Sequence, residues 1–273
     1  MNRRHAIALV PCRLDSTRLP EKALLDVAGK SAIQRLIEQV EQSSFLDRTD
    51  IVVCTTLRSS DDPLADEVTK LGANIFRGHT DDLIDRLYMA SKAFPSDLVA
   101  EIDGDDICAD PNYLDMALAT VERGEAEVAV SGTDLPLGAG TKAFRGDSLE
   151  RVYQCYIPGK NDTGFGYYLT QSGLFSVTPI PCANALHNMP NLRLTLDYPE
   201  DLEVFRRIYA EADCLGRIAS LDFICDFVRR VPDILEINAN LDEGYWERTE
   251  AILAANPLRV KRGEETYIVG PSS

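Results

Sequence analysis

Ala6-Ile7-Ala8-Leu9-Val10 runs directly into Pro11-Cys12-Arg13-Leu14-Asp15-Ser16-Thr17-Arg18-Leu19-Pro20-Glu21-Lys22. The first five residues are a short apolar strand pattern, and the twelve that follow are a polar loop bracketed by prolines. After the loop, Ile33, Leu36, Ile37 and Val40 recur at helical spacing between Ser31 and Gln42, with Ser31 placed to cap the helix. A strand, a charged loop and a helix at the start of a chain predict the first unit of an α/β sheet.

The pattern continues outward from that unit. Strands are expected at Ile51–Thr56, Asn74–Phe76 and Leu98–Ile102, and helices at Asp61–Leu71 and Asp81–Ala93. Alternation of this kind predicts a mostly parallel sheet with helices on both faces, whose ligands bind beyond the carboxyl ends of the strands. The polar loops at 11–22 and 103–110 both leave such ends. Beyond about Glu125 the rhythm changes to strand-like pieces at Val128–Ser131 and Leu174–Val177, separated by glycine-rich and polar loops at 137–141 and 159–166. These predict a partly antiparallel extension, over about 125–190, that covers the site and sets its selectivity. Helices return at Pro199–Ala210, Ser220–Arg229 and Asp242–Ala255, and the last segment, 260–273, is mixed and peripheral. The expected division is a larger α/β domain over 1–210, with a helical segment and tail, 211–273, packing on it.

Composition narrows the function. Against 28 Lys and Arg stand 44 Asp and Glu, a formal charge of −16. That balance argues against nucleic-acid or anionic-membrane binding, which need a broad basic surface. No apolar run approaches the length of a membrane span, and the amino terminus lacks the apolar segment of a signal peptide, so a cytoplasmic location is expected. The seven cysteines are scattered without a CxxC pair, and His5, His79 and His187 stand apart, which gives little support to a zinc site or a Ser-His-Asp triad. Trp246, with Tyr245 on a late helix, reads as core or a subunit contact.

In a chain short of positive charge, the basic loop is informative. Arg13, Arg18 and Lys22 can together hold a triphosphate, the arginines by forked contacts and the lysine as a point charge; a solvated loop pairing with Asp15 and Glu21 explains them as readily. Cys12, Arg13, Leu14, Arg18 and Lys22 are the loop's candidate nucleotide-binding residues. Gly29-Lys30-Ser31 is not a phosphate loop, because position 24 is Leu where GxxxxGK[ST] needs Gly; Gly29 reads as a turn and Ser31 as a cap. No dinucleotide GxGxxG is present.

Asp103-Gly104-Asp105-Asp106 follows the strand at Leu98–Ile102, its glycine permitting a turn on which carboxylates converge, and hard carboxylate oxygens at a strand end suit Mg²⁺. A turn rich in Asp and Gly is the bland alternative. In Leu194-Thr195-Leu196-Asp197-Tyr198-Pro199-Glu200-Asp201, Pro199 suits a first helical turn, and Glu200 and Asp201 suit a helix amino end. Asp197 is left over, available to share a metal with Asp105.

Together these stretches resemble the cytidylyltransferases that activate ulosonic acids such as Kdo and sialic acids, especially the spore-coat-polysaccharide-type branch. The similarity is carried by Arg13-x-x-Ser16-Thr17-Arg18-Leu19-Pro20-x-Lys22 with Gly29-Lys30, Asp61-Asp62-Pro63-Leu64, Phe76-Arg77-Gly78 and Asp81-Asp82-Leu83-Ile84-Asp85-Arg86. It continues through Gly104-Asp105 and closes with the run from Arg193 to Leu202. The resemblance implies a GT-A-like, Rossmann-like fold and transfer of CMP from CTP to a small acceptor, a sugar acid, sugar phosphate or related compound, with release of pyrophosphate. It implies that Arg13 and Lys22 hold the triphosphate, that Asp105 and Asp197 ligate Mg²⁺, that Asp82 and Arg86 lie near the nucleotide, and that the protein is a homodimer; Asp103, on the acidic loop, is a further nucleotide-binding candidate. Asp103 or Asp106 would serve as a base if one is needed. The chain departs from the family at Glu21, where Gly is usual, and at Asp106-Ile107, where the Kdo enzymes have Glu-Pro. Lys142, Asn161, Asp162, Tyr167 and Tyr168 are acceptor candidates by position and chemistry. The rival readings are a GT-A glycosyltransferase using a nucleotide sugar and a nucleotide-binding regulator without chemistry.

Overall fold

The computed structural model describes residues 4–132, 134–159, 163–189 and 191–270. Its first half follows the expected alternation: β1 (Ala6–Pro11), the short strands β2 (Asp26–Val27) and β3 (Lys30–Ser31), α1 (Ala32–Val40), β4 (Ile51–Thr56), α2 (Asp62–Leu71), β5 (Asn74–Gly78), α3 (Leu83–Ala93) and β6 (Leu98–Glu101). The second half holds α4 (Pro111–Glu122), β7 (Val128–Ser131), β8 (Lys142–Arg145), α5 (Ser148–Cys155), α6 (Phe165–Thr170), β9 (Val177–Ile180), α7 (Pro199–Cys214), α8 (Leu221–Arg230), α9 (Ile234–Ile237), α10 (Asp242–Ala255), β10 (Leu258–Arg262) and β11 (Glu265–Val269).

Seven strands form one sheet in the order β5-β4-β1-β6-β8-β7-β9. The chain winds outward from β1 through β4 to β5, all parallel, then returns to place β6 parallel on the other side of β1. That reversal makes a crevice at the carboxyl ends of β1 and β6, the usual ligand position in open α/β sheets. The basic loop leaves β1 there, and the acidic loop leaves β6.

Alternation along β1 divides the interior. Ala6, Ala8 and Val10 face one core, filled from α1, α2, α4, α7 and α8. Ile7 and Leu9 face a second, filled from α3, α5 and α6 and by Leu253, Leu258, Val260 and Val269 from the end of the chain. The expected fold class, a mostly parallel sheet flanked by helices with a smaller antiparallel part, is what the structure has. Among the described residues no helix is long and apolar enough to cross a membrane.

The departures are local. The strand expected at Leu174–Val177 lies instead at Val177–Ile180. Pro179 and Pro181 disguise it, and Pro179 is tolerated because β9 pairs only with β7. Strand β8 has charged ends, Lys142 and Arg145, and was not expected; it runs antiparallel between β6 and β7, with Lys142 opposite Glu101. Helices α4, α5 and α6 were likewise unanticipated. The tail expected to be mixed contains the β10–β11 hairpin. At the false phosphate loop, Ala28 and Gly29 both have positive φ, forming a tight turn between β2 and β3, and the Ser31 hydroxyl accepts from Gln34 N at 3.3 Å.

Candidate active site

The basic and acidic loops meet because their strands are neighbours and their backbones touch. Gly104 N–H donates to the Pro11 carbonyl at 3.1 Å. A Cβ at Gly104 would lie 2.7 Å from both that oxygen and Cys12 Cβ. The glycine is required by this close approach rather than by the turn the sequence suggested. The third component, 193–197, is pinned by two backbone bonds: Leu194 N–H donates to Leu137 O at 2.7 Å and Leu196 N–H to Asp105 O at 2.9 Å. The second of these places Asp197 beside Asp105 across 92 positions of sequence.

The loops surround a cavity of about 290 Å³. Cys12, Arg13, Arg18, Lys22, Arg86, Asp103 and Asp105, all expected in the site, line it. Lys22 Nζ sits between two carboxylates, 2.6 Å from Asp105 Oδ2 and 2.9 Å from Asp197 Oδ1. Asp197, only 1% exposed, also pairs with Arg18 and with Arg193, the latter at 3.1 Å. Burial alone would raise its pKa, but the charge and hydrogen bond of Lys22, followed by those of Arg18, outweigh it and hold Asp197 below the ordinary carboxylate range. Asp105 shifts the other way: burial raises it, with Asp197 and Asp103 adding repulsion that Lys22 only partly offsets. Asp106 is raised well above its ordinary value by burial and then by Asp105 and Asp103. Burial would lower the Lys22 pKa, yet Asp105 and Asp197 raise it, so Lys22 is charged. Arg18 Nε is buried without a hydrogen-bond partner among the described residues, leaving a cationic donor at the cavity wall.

Asp105 and Asp197 therefore already hold one cation in common. Two acceptor-only groups, completed by phosphate oxygens and water, make a hard-oxygen donor set that fits a divalent ion such as Mg²⁺. Among the described residues no group of three or more His, Cys, Asp and Glu gathers as a metal cage.

Other expected residues lie elsewhere. Leu14 is buried beneath the loop, its N–H donating to Asp61 Oδ1 at 2.8 Å. Asp82 is the cap of α3, accepting from Asp85 N at 3.0 Å and from Tyr156 OH at 3.1 Å, and does not line the cavity. Lys142 pairs with Glu101 at 2.6 Å and Asp103 at 3.1 Å. Tyr168, expected at the acceptor, is fully buried in the second core with its ring against Tyr156; Tyr167 is half-buried on α6. Asn161 and Asp162 fall outside the described residues. The sequence reading missed Thr17, Leu83, Thr163, Arg248 and Ile252 on the cavity wall, and it gave no role to Arg193, which joins Asp197, Asp201 and Asp242. Arg248 and Ile252 belong to α10, whose inward face mixes charged and apolar residues and so shows no apolar stripe to read.

The family model for cytidylyltransferases matches residues 7–162, more than half of the chain and both loops of the cavity. The chain belongs to the cytidylyltransferase family. Curated relatives of this cytidylyltransferase extend the similarity. A 3-deoxy-manno-octulosonate cytidylyltransferase of Chlorobium phaeobacteroides is 32% identical over 268 residues, covering 96% of this chain and 93% of that protein. The spore coat polysaccharide biosynthesis protein SpsF of Bacillus subtilis is 26% identical over 235 residues, covering 82% of this chain and 94% of the relative. Among solved structures, a cytidylyltransferase of Leptospira borgpetersenii superposes with a TM-score of 0.74 at 23% identity, over 86% of this chain and 97% of that one, and so shares the fold. This cytidylyltransferase is an enzyme of the nucleotidyltransferase class.

Proposed function

We propose that the protein transfers CMP from CTP to a small hydroxylated or phosphorylated acceptor, such as a sugar acid or sugar phosphate, with Mg²⁺ held by Asp105 and Asp197. The observation that carries this reading is the Lys22 ammonium shared by those two carboxylates in a cavity also lined by Arg13 and Arg18. The names of the curated relatives, which include 3-deoxy-manno-octulosonate cytidylyltransferases, support CTP as donor and a sugar acid among the acceptors.

In this reading Arg13, Arg18 and Lys22 bind the β- and γ-phosphates, and Lys22 leaves the carboxylates to do so. An acceptor oxygen attacks the α-phosphorus in line; the new P–O bond forms as the bond to pyrophosphate breaks, and the acceptor proton passes to solvent or to Asp103. Mg²⁺, when held by Asp105 and Asp197, would supply Lewis-acid polarisation of the phosphate. The protein's own contribution is positioning and charge neutralisation in a sheltered crevice.

The test is pyrophosphate release from each of the four nucleoside triphosphates, with and without Mg²⁺, against a panel of sugar acids and sugar phosphates. CTP and Mg²⁺ should both be required, and Asp105→Asn should lose at least about 100-fold in turnover, the size of effect expected when a main electrostatic contact is removed. Sugar transfer from a nucleotide sugar without pyrophosphate release would replace this reading with a glycosyltransferase.

A further inference from the structure

Helix α10 presents one face to the cavity. Asp242, Tyr245, Arg248 and Ile252 recur at spacings of three and four, which places them on one side of a helix. Each touches the site. Asp242 accepts from Arg193 Nη1 at 3.0 Å, and Arg193 in turn holds Asp197. The Tyr245 ring lies under two guanidiniums, 4.7 Å from Arg193 Cζ and 5.9 Å from Arg18 Cζ. Arg248 Nη2 donates to Thr17 Oγ1 at 3.2 Å, in the middle of the basic loop, and Arg248 and Ile252 both line the cavity. Leu253, on the adjoining face, anchors the helix in the second core.

The cations of the cavity differ in their partners. Arg13 is paired with Asp15, Arg18 with Asp197, and Lys22 with Asp105 and Asp197. Arg248 rests on a neutral hydroxyl and has no carboxylate partner among the described residues. In a protein of charge −16, a guanidinium left uncompensated on a cavity wall, tethered to the loop that carries the other cations, is set to meet an anion.

We propose that Arg248 is a fourth phosphate-binding residue, delivered from the far end of the chain, so that α10 completes the triphosphate site. This rests on the reading of the cavity as the CTP site. Arg248 engages the β- or γ-phosphate, which lies against the basic loop near Thr17, and exchanges its bond to Thr17 for the phosphate oxygen. It acts on binding of the triphosphate and leaves the nucleoside end untouched.

The experiment is calorimetric titration of wild type, Arg248→Ala and Arg248→Lys with CTP in the presence of Mg²⁺, and with CMP by competition. Arg248 is exposed, so the variants should melt as the wild type does. Loss of a charge-assisted contact predicts that Arg248→Ala weakens CTP by about 10- to 100-fold, leaves CMP within about two-fold, and is partly rescued by Lys. Unchanged CTP affinity in Arg248→Ala, or equal weakening of CTP and CMP, overturns the assignment. A wild type that binds no CTP fails at the earlier step, in the reading of the cavity itself.

Discussion

At the scale of single residues, the two central carboxylates are in unequal settings, and the inequality has a measurable consequence. Asp197 is buried and paired with Arg193, Arg18 and Lys22, and these cations hold its charge in place. Replacing it with Asn strands buried positive charge and should lower unfolding free energy by about 3 kcal/mol. Asp105 is held against burial and the repulsion of Asp197 and Asp103, so Asp105→Asn should change stability by less than about 1 kcal/mol while losing turnover. Urea denaturation of both variants reads the contrast; equal losses would contradict it. Glu21 offers a second case. It has φ 54° and ψ 26°, in the left-handed region, at the position where the resembling family carries Gly. Relief of that strain, offset by the greater freedom of Gly in the unfolded chain, predicts a gain of up to about 1 kcal/mol for Glu21→Gly, measurable in the same titration. Cys12, whose place in the loop gave it interest from sequence, is buried against Gly104, and burial followed by the Asp105 charge pushes its thiol up to about 12. It is a packing residue, not a nucleophile.

At the scale of elements, the sheet's central strands and the loops leaving them were legible because their signals are local. An apolar run followed by Arg13, Arg18 and Lys22 is visible in one window, and so is Asp103-Gly104-Asp105. Strand β8 was not legible, since Lys142 looks like a loop residue until Glu101 stands opposite it in the neighbouring strand. The role of Arg193 was hidden although Asp197 and Asp201 are 4 and 8 residues away, because its burial and its third partner, Asp242 on α10, 49 residues on, appear only in the fold. Tyr168 looked available from sequence for the same reason, since its full burial too appears only in the fold. The Glu101–Lys142 pair carries its own prediction. Glu101 is 0% exposed, and burial followed by the Asp103 charge raises its pKa from 4.5 to about 7 against the pull of Lys142. The folded state therefore binds a proton more readily than the unfolded chain between those two values, and stability from this residue falls as pH rises through that window. Unfolding free energies at pH 5 and pH 8 should fall more in the wild type than in Glu101→Gln. Parallel pH profiles would show that Glu101 does not titrate there.

At the scale of the whole molecule, the site depends on parts of the chain that sequence order keeps far apart. The donor loops come from the first 110 residues, Asp197 from near residue 200, and Arg248 from α10. The first core seats the donor loops and the run before Asp197 through Leu14, Leu19, Ile107, Leu194 and Leu196, and the second core brings in α10. One face of the sheet is covered by α3, α5 and α6, and the end of the chain adds Leu253, Leu258, Val260 and Val269, all buried. Fully burying one such side chain contributes about 1.5–3 kcal/mol, so these four together approach the net stability of an entire domain, about 5–15 kcal/mol. The terminal segment is thus as much a part of the folded body as the central strands, despite its polar sequence. A chain ending at Leu241 would bare the apolar surface around Phe165 and Leu169 and would also deprive Arg193 of Asp242. It should lose most of its cooperative melting transition, with near-ultraviolet circular dichroism reduced and exposed apolar surface binding a hydrophobic dye. A truncated protein that melts within a few degrees of the full chain would mean that the sheet's second face is closed without its end, and that α10 serves the cavity alone.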